Sequence, residues 1–233
     1  MTTDAVSRSS AAHQEEKPIL RYTFFERVNH WIGALSYIYL LMTGLAFWSP
    51  YLFWLAAVVG GGPAARFWHP WFGLIFTLSL FVTFGQWRGD MEITDADRAW
   101  GKAIPDYIEN HDDKLPPVGR FNFGQKLFFW GIFFGVILLL LSGVVLWYTE
   151  SLPWSLRFVR YAAILIHASV ALITIGLFLI HVYMSVFLEE GSFGSMVTGY
   201  VTRAWGWTFH RTWYYEVTGR SESDLGKPNL PKP

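Results

Sequence analysis

Four stretches of this 233-residue chain run for twenty residues or more without a single Asp, Glu, Lys or Arg: Val28–Trp48, Phe67–Trp87, Leu127–Thr149 and Tyr161–Leu188. A helix needs about 20 apolar residues to cross roughly 30 Å of hydrocarbon, so each run predicts one membrane span. The fold class expected is all-α, an integral membrane four-helix bundle. A fifth apolar piece, Tyr51–Gly62, is too short to cross, ends in three glycines and reads as interfacial. Trp31, Trp48, Trp68, Trp87, Trp130 and Trp147 sit towards the ends of the runs, where indole rings anchor at headgroup depth. A hydrophobic share of 52% against 15% charged residues suits a membrane protein with sizeable polar connections.

Basic residues set the expected orientation. Four spans place both termini and the middle connection on one side, which then holds fifteen Lys and Arg, and the other side holds Arg66, Arg157 and Arg160. Fifteen against three is a strong positive-inside bias, so both termini and the Arg88–Lys126 connection are expected in the cytoplasm, with a bacterial inner membrane as the host. The domain division expected is a polar leader over 1–20, a membrane domain over 21–217 and a mobile tail over 218–233. The leader has no apolar centre, so the first span is expected to direct insertion in place of a cleaved signal peptide. Eighteen basic residues balance eighteen acidic ones, and nothing suggests a nucleic-acid partner.

There are no cysteines, which excludes thiolate haem ligation and cysteine-held iron–sulfur clusters. Histidine then becomes the informative residue. His30 lies early in a span that starts inside, His69 early in one that starts outside, and the fourth span carries His167 early and His181 late. Fourteen residues separate the last two, about 21 Å of rise and close to four turns, so both point from one face at two depths. A bis-histidine haem needs two imidazoles at equal depth on facing helices. The pairs His30/His181 (inner iron) and His69/His167 (outer iron) meet that need, implying two haem b groups. Gly44, fourteen residues after His30, comes level with the outer pair and leaves room for a flat ring. The plainer account of any one membrane histidine is a hydrogen bond between helices, but four in matched depth pairs argue for haem. His13 and His111 read as solvent-exposed, and His210, in an aromatic and basic stretch, as an interfacial anchor or partner contact.

Several segments together resemble a known family: RYTFFERVNHW at Arg21–Trp31, HPWFG from His69, FNFGQK at Phe121–Lys126, GVVLWY at Gly143–Tyr148, the two histidines of the fourth span, and WTFHRTWYYEV at Trp207–Val217. They are similar to the gamma subunit of respiratory formate dehydrogenase, a di-haem cytochrome b, over about Arg21 to Val217. The resemblance implies a membrane anchor that takes electrons from an iron–sulfur beta subunit, fed by a molybdenum or tungsten alpha subunit that oxidises formate. It implies quinone as the acceptor, carries the ligand set over to His30, His69, His167 and His181, and allows a higher oligomer of the complex.

Quinone needs hydrogen-bond donors and a nearby haem. Asn122 and Gln125, with Gly124 allowing close backbone approach, precede the third span on the inner side. The competing account is an N-terminal cap, a position Asn favours. The residues alone leave both open, and the resemblance favours quinone. Two other function classes are compatible with the residues: the cytochrome b subunit of a nickel–iron hydrogenase or thiosulfate reductase, and a haem-free carrier of divalent metal.

Overall fold

The computed structural model describes residues 17–109, 111 and 114–219; His13 and the ends of the chain lie outside them. Four helices are long and apolar enough to cross a membrane. They are Phe24–Trp48, Gly62–Trp87, Phe123–Trp147 and Arg157–Tyr183, the second continuing as a 3-10 turn to Met91 and the fourth as a π-helical turn over Met184–Leu188. Each begins four or five residues before the charge-free run that revealed it. The reason is local: Glu26, Arg27, Arg66, Lys126, Arg157 and Arg160 lie in the first turns, where a span is already helical but still at headgroup depth.

Caps explain the starts of the first and third spans. Thr23 accepts from the Glu26 amide at 3.3 Å while the Glu26 carboxylate accepts from the Thr23 amide at 2.8 Å, a reciprocal capping box. Asn122 and Gln125 form the same box before the third span, at 2.9 and 3.1 Å. The second span follows a turn at Gly60 and Gly61, with φ of 97° and 92°, and has a proline in its first turn.

The spans pack as two hairpins, first with second and third with fourth. Between lipid-soluble helices the apolar effect supplies little attraction, so close backbone approach and buried polar pairs hold them. Gly33 lets the second span come so near that an added Cβ would stand 2.8 Å from Ser79 Oγ. Beside it Ser79 Oγ donates to the Asn29 carbonyl at 2.9 Å, and Asn29 Nδ2 donates to the Ser79 carbonyl and Thr83 Oγ1 at 3.0 and 2.9 Å. Gly131 and Gly135 do the same for the fourth span, against Leu177 and Thr174 at 3.1 Å each. Between the hairpins the first and fourth spans touch lightly, while the second and third meet through Phe81 and Phe84 against Phe129 and Phe133.

On the termini side the connection after the second span and the segment after the fourth fold into a cap. Trp100, Tyr107, Leu115 and Val118 from the one pack with Val201, Trp205, Phe209 and Trp213 from the other. Ile19–Leu20 pairs antiparallel with Tyr200–Val201, tying the segment before the first span to the segment after the fourth on this side. The short helices Asp95–Lys102, Ile104–Ile108, Ser192–Thr198, Arg203–Phe209 and Arg211–Thr218 build the cap. Buried ions fasten it to the spans. Lys126 meets Asp97 at 2.7 Å, and Arg120 meets Glu26 at 2.6 Å. Burial alone would raise the Asp97 carboxyl, but the Lys126 ammonium and the Thr94 cap outweigh it and hold it below its ordinary value.

His210 corrects the sequence-based expectation of an interfacial anchor: it is fully buried. Its Nδ1 meets the Gly119 carbonyl at 2.9 Å, an acceptor only, so Nδ1 carries the proton and Nε2 faces Arg21 at 3.4 Å. Burial, and then the Arg21 charge, push its pKa well below the usual value. Arg21 itself lies among the rings of Tyr22, Phe121, Trp205 and Trp213, 4.6 to 5.4 Å from their centroids, and donates to the Arg120 carbonyl. The far side of the bundle is slight by comparison, with short helical turns between spans and Tyr51, Trp54 and Trp154 exposed.

Candidate functional site

The four span histidines fall into the two pairs that their depths predict. His30 and His181 have ring centroids 6.4 Å apart on the termini side, and His69 and His167 have theirs 6.3 Å apart on the far side. Two metal–imidazole bonds of about 2.0 Å, each extended to its ring centre, put centroids about 6 Å apart. The separations therefore fit one metal between each pair. No hydrogen bond joins the rings of either pair among the described residues.

The far-side pair is also oriented for this. Thr43 Oγ1 donates its one hydrogen to the carbonyl of Tyr39 at 2.9 Å, so its 2.6 Å contact with His69 Nδ1 has the imidazole as donor. Ser142 Oγ likewise donates to the Leu138 carbonyl at 2.6 Å and accepts from His167 Nδ1 at 3.0 Å. Both rings are thereby held in the tautomer whose Nε2 lone pair is free for a metal, a role that outer hydrogen bonds play at histidine metal sites generally. A Cβ on Gly143 would crowd His167 Cε1 at 3.2 Å, whereas one on Gly44 would make ordinary contact with His69 Cε1 at 3.9 Å. Thr43 and Ser142 went unnoticed in the sequence; a hydroxyl residue followed by glycine on the span facing each far-side histidine is the signal that could have found them.

The termini-side pair is held by packing. Phe128 stacks on His181 at 4.5 Å and 11°, and Trp31 meets His30 edge-on at 5.6 Å. His30 Nδ1 is buried with no partner among the described residues. Aromatic rings thus flank both imidazoles at this level. Among the described residues no three His, Asp or Glu side chains gather into an ion-binding set. Two ligands per level are what haem takes and fewer than a bare divalent ion needs.

Asn122 and Gln125 reach the predicted corner, and the structure gives them their capping role. Asn122 is buried, its Nδ2 3.3 Å from Glu189 Oε1, a carboxylate that also accepts from Tyr107 at 2.6 Å and, through Oε2, from Ser192 at 2.7 Å. Gly124 is exposed, and Gln125 Nε2 has no hydrogen-bond acceptor among the described residues. His111 is half-buried near Asp106 and Glu109 in the cap, at 3.5 Å from each. Glu189, Tyr107 and the Arg21–His210 contact went unnoticed in the sequence, since nothing local marks them.

Four apolar spans crossed by two imidazole pairs define a membrane cytochrome of the b type. The chain belongs to the prokaryotic cytochrome b561 family, whose model matches residues 21–199. It is similar to the cytochrome b556(fdo) subunit of formate dehydrogenase from Escherichia coli K12, 35% identical over 205 residues that cover 88% of this chain and 95% of that one. The nitrate-inducible cytochrome b556(Fdn) subunit of the same strain is 32% identical over 218 residues, covering 91% and 99%. The cytochrome b556 subunit of formate dehydrogenase from Haemophilus influenzae is 30% identical over 210 residues, covering 89% and 87%.

Proposed function

We propose that this chain is the membrane cytochrome b subunit of a formate dehydrogenase complex, with His69 and His167 holding one haem b and His30 and His181 a second. The observation that carries the reading is the pair of ring separations, 6.3 and 6.4 Å, at two depths of one bundle. Haem b, when bound, supplies reversible one-electron exchange. The chain supplies the rest. Thr43 and Ser142 fix the far-side imidazoles with Nε2 forward; Phe128 and Trp31 brace the other two. The far side, with short connections, suits docking of an iron–sulfur subunit that is itself fed by a molybdenum or tungsten catalytic subunit.

The acceptor in this reading is quinone, taken at Asn122, Gly124 and Gln125. Exposed Gly124 admits a flat ring, and Gln125 Nε2 offers a donor that the capping box leaves over. Asn122 orients Gln125 through that box. If the basic residues place both termini in the cytoplasm of a bacterial inner membrane, the protons that quinone takes up come from the cytoplasm while electrons enter from the opposite face. Each electron then crosses against about 2.3 kcal/mol per 100 mV of membrane potential.

Purifying the intact complex tests the assignment. Formate is expected to reduce its b-type absorption bands, hydrogen to leave them oxidised and thiosulfate to fail to reoxidise them once reduced, and pyridine haemochrome titration is expected to return two haems per chain. Zero or one haem would sink the two-site reading, and reduction by hydrogen alone would move the chain to another respiratory enzyme. In oriented vesicles, formate oxidation by quinone is expected to slow as the membrane is energised; a rate indifferent to potential would put donor and quinone on one face.

A further inference from the structure

Between the two histidine levels lies a layer that haem ligation leaves unused. His30, Tyr37 and Gly44 recur every seven residues on the first span, and His167, Thr174 and His181 on the fourth. Seven residues is close to two turns, so the middle member of each set shares the histidine face, about 10 Å in rise from its neighbours. Tyr37 and Thr174 meet there, the tyrosine hydroxyl donating to Thr174 Oγ1 at 3.1 Å. Both are buried, at 8% and 2% exposure. Phe76 of the second span and Phe178 of the fourth flank the tyrosine ring at 5.3 and 5.1 Å. From the third span Gly135 comes so close that a Cβ would stand 3.1 Å from the Thr174 methyl. All four spans thus meet in one tightly filled layer.

The hydrogens of this layer are all committed. Thr174 Oγ1 donates to the Ala171 carbonyl at 2.8 Å while accepting from Tyr37, so the donor chain runs one way and ends on an oxygen with no hydrogen to pass on. Nothing in it can relay a proton onward.

We propose that the Tyr37–Thr174 layer is a proton-tight septum, closing the bundle axis between the two haem chambers so that electrons are the only charge to pass. The inference rests on the two-haem reading, because a haem at each histidine level would leave this layer as the barrier between them. A proton path along the same axis would return the charge that electron flow separates, and the work of turnover would be lost.

The test uses the full chain with its haems, reconstituted into liposomes that hold a pH-sensitive dye, with an imposed potassium diffusion potential. Tyr37→Ala empties the centre of the layer and is expected to raise proton entry at least tenfold. Tyr37→Phe keeps the ring and is expected to stay within twofold of the parent. Phe84→Ala, which removes a ring stacked on Phe129 and Phe133 away from this layer, is expected to leak no more than the parent. Should Tyr37→Ala fail to assemble, Phe178→Ala opens the same layer and carries the same expectation. Haem is counted in every sample. Parent-like tightness in the two opened variants, or an equal leak from Phe84→Ala, overturns the septum; fewer than two haems in the parent overturns the two-haem reading instead.

Discussion

The two ends of the bundle hold their histidines by different means. On the far side, His69 and His167 are each tethered through Nδ1 to a hydroxyl on the neighbouring helix, and little lies beyond them except short turns. On the termini side, His30 and His181 are braced by aromatic rings beneath a cap that buries Arg21, Asp97 and His210. One end is thus fixed by hydrogen bonds that act directly on the ligand, and the other by a packed structure that acts at a distance. The difference teaches that damage at one end need not reach the other.

The largest expected effect is complete loss at one level. His69→Ala is expected to lower haem content from two to one per chain, and His30→Ala to do the same for the other haem, with distinct absorption bands surviving in each. Loss of both haems from either variant would break the claim of independent ends. Next comes Lys126→Met, which strands the buried Asp97 carboxylate. Removing one partner of a buried pair costs about 3–5 kcal/mol. Thermal unfolding and limited proteolysis are expected to show the cap loosened while the far-side haem stays bound.

Smaller effects sharpen the contrast. Thr43→Val removes the hydroxyl that orients His69, and a lost outer hydrogen bond weakens metal affinity by about 10- to 100-fold. The far-side haem is expected to be released more readily on dilution, with the termini-side haem unchanged. The smallest concerns acid. Because folded His210 has its pKa well below the 6.5 of the free side chain, both states are neutral above pH 6.5 and its contribution is fully present there. As pH falls below 6.5 the unfolded chain takes up a proton that the folded one refuses, and stability drops by up to about 1.4 kcal/mol per pH unit. Protease sensitivity of the cap measured from pH 7 to 5 is expected to rise in the parent and to change less in His210→Gln.

The spans and the depth pairing of their histidines were legible in the sequence because lipid imposes a one-dimensional rule: no charge for about twenty residues, and depth proportional to position. The same rule set the span starts too late, since Glu26 and Lys126 are tolerated in first turns where they meet Arg120 and Asp97. The cap obeys no such rule. Its core unites Trp100 and Val118 with Trp205 and Trp213, about a hundred positions apart, the first two in a polar connection and the last two in an aromatic and basic stretch, and so His210 looked like an interfacial anchor or partner contact. At Asn122 and Gln125 the sequence offered two roles, and the capping role is the one visible in the hydrogen bonds.

The π-helical turn at Met184–Leu188 has a consequence of phase. A segment wound this wide holds one residue more than an α-helix of the same rise, and each residue is worth about 100° of rotation. The extra residue is taken up within the turn, so deleting Val186 is expected to let the fourth span continue as a regular helix with Glu189 still turned towards Tyr107 and Asn122 and His181, before the turn, unmoved. The histidine-bearing part of that span and the part that grips the cap thus keep the bearing of one continuous helix. A one-residue change of length is the edit that this turn can absorb.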